Sequence, residues 1–347
     1  MRLTLAWGLV PLLFLHSSAL APGVSPVRIH YRDAGAGPPI VILHGGWGYE
    51  IYPFDRQIAA LSADHRLVIP DRTGYGGSGR LVRQERDFHH RAAAETLAVI
   101  EAMGLERPVL WGHSDGAVIA LLMGLSTPER LGGLIVEATH FFRSKPASRG
   151  FFDTMIANPD GLGERVTTVL AREHGEAWRD LITANGVAWR RIADERSDAN
   201  EDLYGGRLGT LRVPALVIHG GRDPRTEPGE LDALRAVLSG HTLGPIARFQ
   251  ILPQGAHSPH SERATADEVT RLAQHFLSDA GSVRSASPAP PALPDLPDPP
   301  GLPDLPDLPD SPDPPDLRDL PDPPDPPGLP DLPDLPDLRD QRDQRDQ

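Results

Sequence analysis

The sequence predicts an α/β fold, a mostly parallel sheet with crossover helices and one helical insertion, on three observations. Short apolar runs alternate with helical patterns between about Val27 and Ala280, as strand-helix-strand crossovers require. Several of those runs are apolar throughout, which marks strands buried on both faces. One run leads through Gly112-His113-Ser114-Asp115-Gly116 directly into a helical pattern, a join of strand, tight turn and helix.

In chain order, residues 1–21 stand apart. Leu3–Leu15 is apolar but short for a bilayer span, and it holds Pro11. With Arg2 before it and Ala19-Leu20-Ala21 after it, the segment has the three parts of a secretory signal peptide. An exported or periplasmic protein follows if that signal is used. An uncleaved anchor, or a start codon set too far upstream in a cytoplasmic protein, are the other readings of the same residues.

Strands are expected at Val27–Tyr31, Ile40–His44, Leu67–Pro70, Val109–Gly112, Leu134–Glu137, Ala215–His219 and Phe249–Leu252. Helices are expected at Phe88–Met103, Asp115–Leu125, Glu230–Leu238 and Ser261–Asp279. In the last of these, Val269, Leu272, Ala273, Phe276 and Leu277 recur at helical spacing and form one apolar stripe to lay on a sheet. Between about 139 and 211 no strand pattern appears. Helical patterns at Gly163–His174 and Ala177–Ala193, punctuated by Asn158-Pro159, Gly175 and Asn185-Gly186, mark a helical cap between two core strands, placed to cover a site at their ends.

The folded domain is therefore expected over 22–280, followed by a disordered tail over 281–347. From Ser287 the chain cycles through Leu-Pro-Asp and Asp-Pro-Pro units, holds 21 of the 38 prolines and has no aromatic residue after Phe276. Such a composition cannot build a core. The tail also carries most of the charge: 16 Asp and 5 Arg supply −11 of the chain's −14, which leaves −3 on the first 280 residues.

That near balance lacks the clustered basic face of a nucleic-acid binder. Beyond the N-terminal segment no stretch suits stable membrane insertion. With no cysteine in the 347 residues, disulfide frameworks, thiol nucleophiles and thiolate metal sites are excluded. Any chemistry must use oxygen and nitrogen side chains.

Ser114 sits where such chemistry would begin. Glycines two positions before and after it let strand and helix approach and leave the hydroxyl exposed on a strained turn. A serine hydroxyl is too weakly acidic to attack alone and needs a histidine base and an orienting carboxylate. Asp223 follows the Ala215 strand through Gly220-Gly221-Arg222, and His257 follows the Phe249 strand through Pro253-Gln254-Gly255-Ala256. The order Ser, Asp, His behind successive strands makes Ser114, Asp223 and His257 a candidate catalytic triad. Glu137, at the end of its strand, is the alternative triad acid.

The developing oxyanion needs backbone donors. Gly46 N–H, with Trp47 as alternative, and Asp115 N–H are the candidates, since His44-Gly45-Gly46-Trp47-Gly48 leaves one strand end and Asp115 opens the helix after Ser114. The Asp115 side chain and Trp47 are the candidate substrate-binding residues. The Asp115 carboxylate has two readings: a partner for the partial positive charge at the helix start, or a receptor for a substrate ammonium. His44 reads as structural, and Asp71-Arg72-Thr73-Gly74-Tyr75-Gly76-Gly77-Ser78 as a loop shaping the pocket. His89 and His90 are adjacent and point apart, and His140 and His260 lack companions at ligand spacing, so no metal site is expected.

In this order HGGWG, DRTGYGGSG, GHSDGA, HGGRD and GAHSPH resemble the α/β-hydrolase fold family, from about Val27 to Ala280. Gly-His-Ser-Asp-Gly and HGEAWRDLITANGVAW look most like its valacyclovir hydrolase, or biphenyl hydrolase-like, branch, apart from Ala117 where that branch usually has glycine. The resemblance implies an eight-stranded sheet, a helical lid, a covalent acyl-enzyme on Ser114, no cofactor and, within the branch, amino-acid esters bound through Asp115. Dehalogenases and epoxide hydrolases of this fold use a carboxylate nucleophile, so Ser114 argues against both. The expected activity is a serine esterase acting on a small carboxylic ester or activated amide. Hydrolysis of a carbon-carbon bond in a diketone, or a non-catalytic body displaying the tail, are the rivals.

Overall fold

The computed structural model describes residues 12–15, 27–78, 84–194, 201–240 and 246–286. The chain divides into two units, Met1–Ala289 and Pro290–Gln347, and the second lies outside the described residues.

Strands β1 (Leu12–Leu15), β2 (Val27–Ala34), β3 (Pro39–Leu43), β4 (Arg66–Pro70), β5 (Val109–His113), β6 (Gly133–Glu137), β7 (Ala215–Gly220) and β8 (Ala247–Leu252) form one sheet. Their order is β1-β2-β4-β3-β5-β6-β7-β8. All pairs from β4 to β8 are parallel. β2 is antiparallel and changes partner along its length, with Val27–His30 against β1 and Tyr31–Ala34 against β4. The seven expected strands are all present, with their ends moved by a few residues. The eighth, which the resemblance implies, is Leu12–Leu15, inside the segment expected as an export signal.

Period-two alternation divides the strand residues between two cores. Ile40 and Ile42 of β3, Leu67 and Ile69 of β4 and Trp111 of β5 share one cluster. Val41, Leu43, Val68 and Leu110 share the other. Both sets are apolar because helices cover both faces. α1 (Asp55–Leu61) and α8 (Ala266–Ala286) bury Ile58, Leu61, Val269, Ala273, Phe276 and Leu277 in the first cluster. α2 (Phe88–Ala102), α3 (Asp115–Ser126) and α7 (Glu230–Ser239) fill the second with Ile100, Val118, Leu121, Leu234 and Leu238.

Between β6 and β7 lie the cap helices α4 (Arg149–Ala157), α5 (Glu164–His174) and α6 (Trp178–Asp194). Their apolar faces, with Phe152, Met155, Leu170, Trp178, Ile182 and Trp189, form a third cluster that includes Trp47 and Phe88 of the body. Among the described residues no helix is long and apolar enough to cross a membrane.

Three expectations need correction. Asn185-Gly186 does not interrupt α6 but lies within it, because a Cβ at Gly186 would stand 2.9 Å from the Met155 Cβ and 3.2 Å from the Phe152 carbonyl oxygen. The glycine serves close packing of α6 on α4. Helix α8 begins at Ala266 instead of Ser261 and runs to Ala286, past the expected domain end at 280. Residues 258–265 are turns, in which Thr265 Oγ1 donates to the Pro259 carbonyl at 2.8 Å. Helix α4 was not expected.

Candidate active site

Ser114 terminates β5 and opens α3 with φ 54° and ψ −118°, a backbone region that non-glycine residues enter only when the surroundings enforce it. The neighbouring glycines supply that enforcement. A Cβ on Gly112 would collide with the Gly116 carbonyl, and one on Gly116 would collide with the Leu43 carbonyl at the end of β3. The Ser114 N–H donates to the Glu137 backbone carbonyl at 2.9 Å, pinning the turn to β6.

The loops after β7 and β8 bring two side chains to this hydroxyl. His257 Nε2 lies 3.1 Å from Ser114 Oγ, and His257 Nδ1 lies 2.9 Å from Asp223 Oδ2. Asp223 Oδ1 accepts the Arg225 N–H at 2.9 Å. Burial works to raise the Asp223 carboxyl, but its interactions with His257 and His219 and the Arg225 amide hold it well below the usual carboxylate range. Burial lowers His257 to about 4, helped by the Arg225 charge and opposed by Asp223. The His257 loop is held on both sides by Glu262, which accepts the Ala256 N–H at 2.7 Å and the Ser258 N–H at 2.8 Å. From below, His113 Nε2 donates to the His257 carbonyl oxygen at 2.9 Å.

Ser114 opens onto a cavity of about 30 Å³ lined by, among others, Gly46, Trp47, Asp115, His140, Trp189 and Arg225. Gly45 and Gly46 pass directly beside the serine turn: a Cβ on Gly45 would stand 3.3 Å from Ser114 Cβ, and one on Gly46 2.7 Å from Asp115 Oδ2. This loop is tied down by Tyr75, whose hydroxyl donates to the Gly46 carbonyl at 3.1 Å, and by cap residue His174, whose Nε2 donates to the Trp47 carbonyl at 3.0 Å. His44 is structural: its Nδ1 donates to the Gly45 carbonyl at 2.8 Å and its Nε2 accepts the Arg72 N–H at 3.3 Å. Burial and Arg72 push His44 down to about 3. Asp71, in the pocket-shaping loop, accepts from His30 at 2.7 Å, Arg32 at 2.6 Å and the Gly77 N–H at 3.0 Å.

Asp115 is 1% exposed and its carboxylate has a donor on each oxygen. Oδ1 accepts from Trp189 Nε1 at 3.0 Å and His89 Nε2 at 3.2 Å, and Oδ2 accepts from Asn185 Nδ2 at 3.1 Å. Two of those donors are on α6, so Asp115 joins the cap to the serine turn. Burial would raise this carboxyl, but the His89 contact and nearby positive charge hold it well below the usual range. Asn185 reads in the sequence only as part of a turn dipeptide and Trp189 has no reading of its own, since 70 and 74 residues separate them from Asp115. Arg225, Glu262 and Lys145 were missed likewise.

Glu137 does not reach His257. Its Oε1 pairs with His260 Nδ1 at 2.5 Å and accepts the His260 N–H at 2.9 Å. The two are 123 residues apart in the chain, and with His113 they form a buried group whose ligand-type atoms lie within 4.8 Å of one another. His260 Nε2 donates to the Tyr52 carbonyl at 3.0 Å and His113 Nε2 to that of His257 at 2.9 Å, which orients the two rings. His89 is buried on Asp115, while His90 on the same helix is exposed.

Comparison with known proteins agrees with this architecture. Residues 40–271 match the model of the Alpha/beta hydrolase family. The chain is similar to Serine hydrolase BPHL of Mus musculus, 26% identical with 73% of this chain and 84% of the relative covered. It is 28% identical to the 2-hydroxy-6-oxo-6-phenylhexa-2,4-dienoate hydrolase of Comamonas testosteroni, covering 73% and 92%. Among solved structures, a thermophilic esterase from Thermogutta terrifontis with malate bound superposes with a TM-score of 0.59 at 19% identity, over 78% of this chain and 99% of that one. The match over most of the folded body, on the sheet and serine turn described above, places this chain in the alpha/beta hydrolase family, as a hydrolase enzyme.

Proposed function

We propose that the protein is a serine hydrolase that cleaves a small carboxylic ester or activated amide through an acyl-enzyme on Ser114. The observation that carries this reading is the continuous line from Ser114 Oγ to His257 Nε2 at 3.1 Å and from His257 Nδ1 to Asp223 Oδ2 at 2.9 Å. His257 takes the hydroxyl proton as Oγ bonds to the carbonyl carbon, and returns it to the leaving group as the bond to that group breaks. Asp223 holds the ring in the tautomer that leaves Nε2 free to accept, and stabilises the imidazolium. Gly46 N–H, or Trp47 N–H in its place, and Asp115 N–H receive the oxyanion. A water deprotonated by His257 then releases the acid and restores Oγ–H.

The test is labelling by a fluorophosphonate together with turnover of p-nitrophenyl acetate. Ser114→Ala is expected to abolish the label and to lower turnover by several orders of magnitude while the fold persists, as loss of a triad member does. A variant that keeps more than a few per cent of activity overturns the assignment. The similarity to the Comamonas hydrolase, which is named for a dienoate substrate, favours a second reading: carbon-carbon bond hydrolysis in a diketone by the same three residues. Faster turnover of a vinylogous diketone than of any p-nitrophenyl ester would select it.

A further inference from the structure

The charged groups around the cavity are unevenly satisfied. Asp115 has three neutral donors, and Asp223 is taken by His257 and a backbone amide. The cap arginines have carboxylates of their own: Arg149 with Asp194, Arg179 with Asp160, and Arg191 with Glu85. Arg225 lines the cavity beside Ser114, and among the described residues its guanidinium has no carboxylate within ion-pair distance.

It is nonetheless held in place. Its Cζ lies 4.2 Å from the Phe151 ring centre and 4.9 Å from that of Trp47, so it bridges the cap and the loop that carries Gly46. Its own N–H is fixed on Asp223 Oδ1, and its carbonyl accepts from Ser148 Oγ at 3.3 Å. The two rings hold the guanidinium while, among the described residues, none of its N–H donors has a hydrogen-bond partner, so the planar fork is available for two parallel hydrogen bonds to a carboxylate.

From this we infer that Arg225 selects substrates carrying a carboxylate near the bond to be cleaved. The inference rests on the serine hydrolase reading and narrows its substrate class. It also runs opposite in sign to an ammonium held by Asp115. The other role open to Arg225 is electrostatic, through its charge beside His257, and a ratio of two substrates at one pH removes that role, since both meet the same imidazole.

The experiment measures kcat/KM at pH 7 for the p-nitrophenyl half-esters of succinic, glutaric and adipic acids, each against its neutral methyl-ester counterpart and corrected for spontaneous hydrolysis. Wild type is expected to prefer the anionic ester for at least one chain length. Arg225→Gln is expected to lower that preference about 10- to 100-fold, the range for a hydrogen bond to a charged group, with Arg225→Lys in between. Equal preference in wild type and Arg225→Gln at every length, with wild type still labelled by a fluorophosphonate, overturns the role of Arg225 alone. A wild type that takes no label overturns both this inference and the reading beneath it.

Discussion

His257 donates and accepts the proton in the proposed cycle, so its ionisation sets the acid limb of activity. An ordinary imidazole would place the rise across pH 5 to 8, but burial and Arg225 lower His257 to about 4. Since only the neutral ring can take the serine proton, kcat/KM is expected to stay level from about pH 8 to about pH 6 and to fall as pH drops through the value of the folded protein. A midpoint at the unperturbed value or above, in a full kcat/KM profile, would show that Asp223 outweighs burial. Asp115 is the other side chain with a measurable consequence. Its oxygens hold Asn185 and Trp189 of the cap, so Asp115→Asn is expected to slow an α-amino acid ester and its desamino counterpart equally. A loss about tenfold or more larger on the amino ester, as a direct ion contact implies, would instead put the substrate ammonium on Asp115.

The cap is fastened to the body by a buried ion pair at its entrance. Lys145 and Glu230 are both buried and in contact, Glu230 Oε1 also accepts the Phe141 and Phe142 N–H groups, and Lys145 Nζ reaches His140 Nδ1 at 3.4 Å. Glu230→Gln would strand the ammonium in the interior, and chemical denaturation is expected to register a loss of about 3 to 5 kcal/mol. A change under about 1 kcal/mol would mean that Lys145 finds water or gives up its proton at little cost. The same contrast between local and distant contacts explains how much could be read in advance. The strands, the serine turn and the loops of Asp223 and His257 were legible because each depends on neighbours a few residues away: apolar runs, paired glycines, a strand end. Arg225, Asn185, Trp189 and Glu230 were not, because their roles arise where the cap meets the body. Asn185-Gly186 was misread for the same reason, since a turn dipeptide keeps its helix when a second helix lies close against the glycine.

Taken over the whole molecule, burial depresses the ionisation of His44, His89, His113, His140, His174, His219 and His257. Between the folded and unfolded values of each ring the unfolded chain binds more protons, so this stability is lost as pH falls below the unperturbed value. Asp71, Asp115 and Asp223, lowered in the fold, add to the loss at still lower pH. Glu95 and Glu173 are raised by burial, Glu173 to about 7, and act in the opposite direction between the unperturbed and folded values. The histidines outnumber them, and Tm is expected to rise from pH 5 to pH 7. A Tm that falls over that interval would show the two glutamates to dominate.

The cavity beside Ser114, about 30 Å³, has room for about two water molecules. Asp115 fastens α6 over this space through Asn185 and Trp189, so an ester that needs more room is seated as those contacts yield. Apparent affinity is then the intrinsic affinity scaled by the fraction of molecules that stand open. A substitution that loosens the cap can therefore lower KM while costing stability, and the two effects should appear together in the same variant.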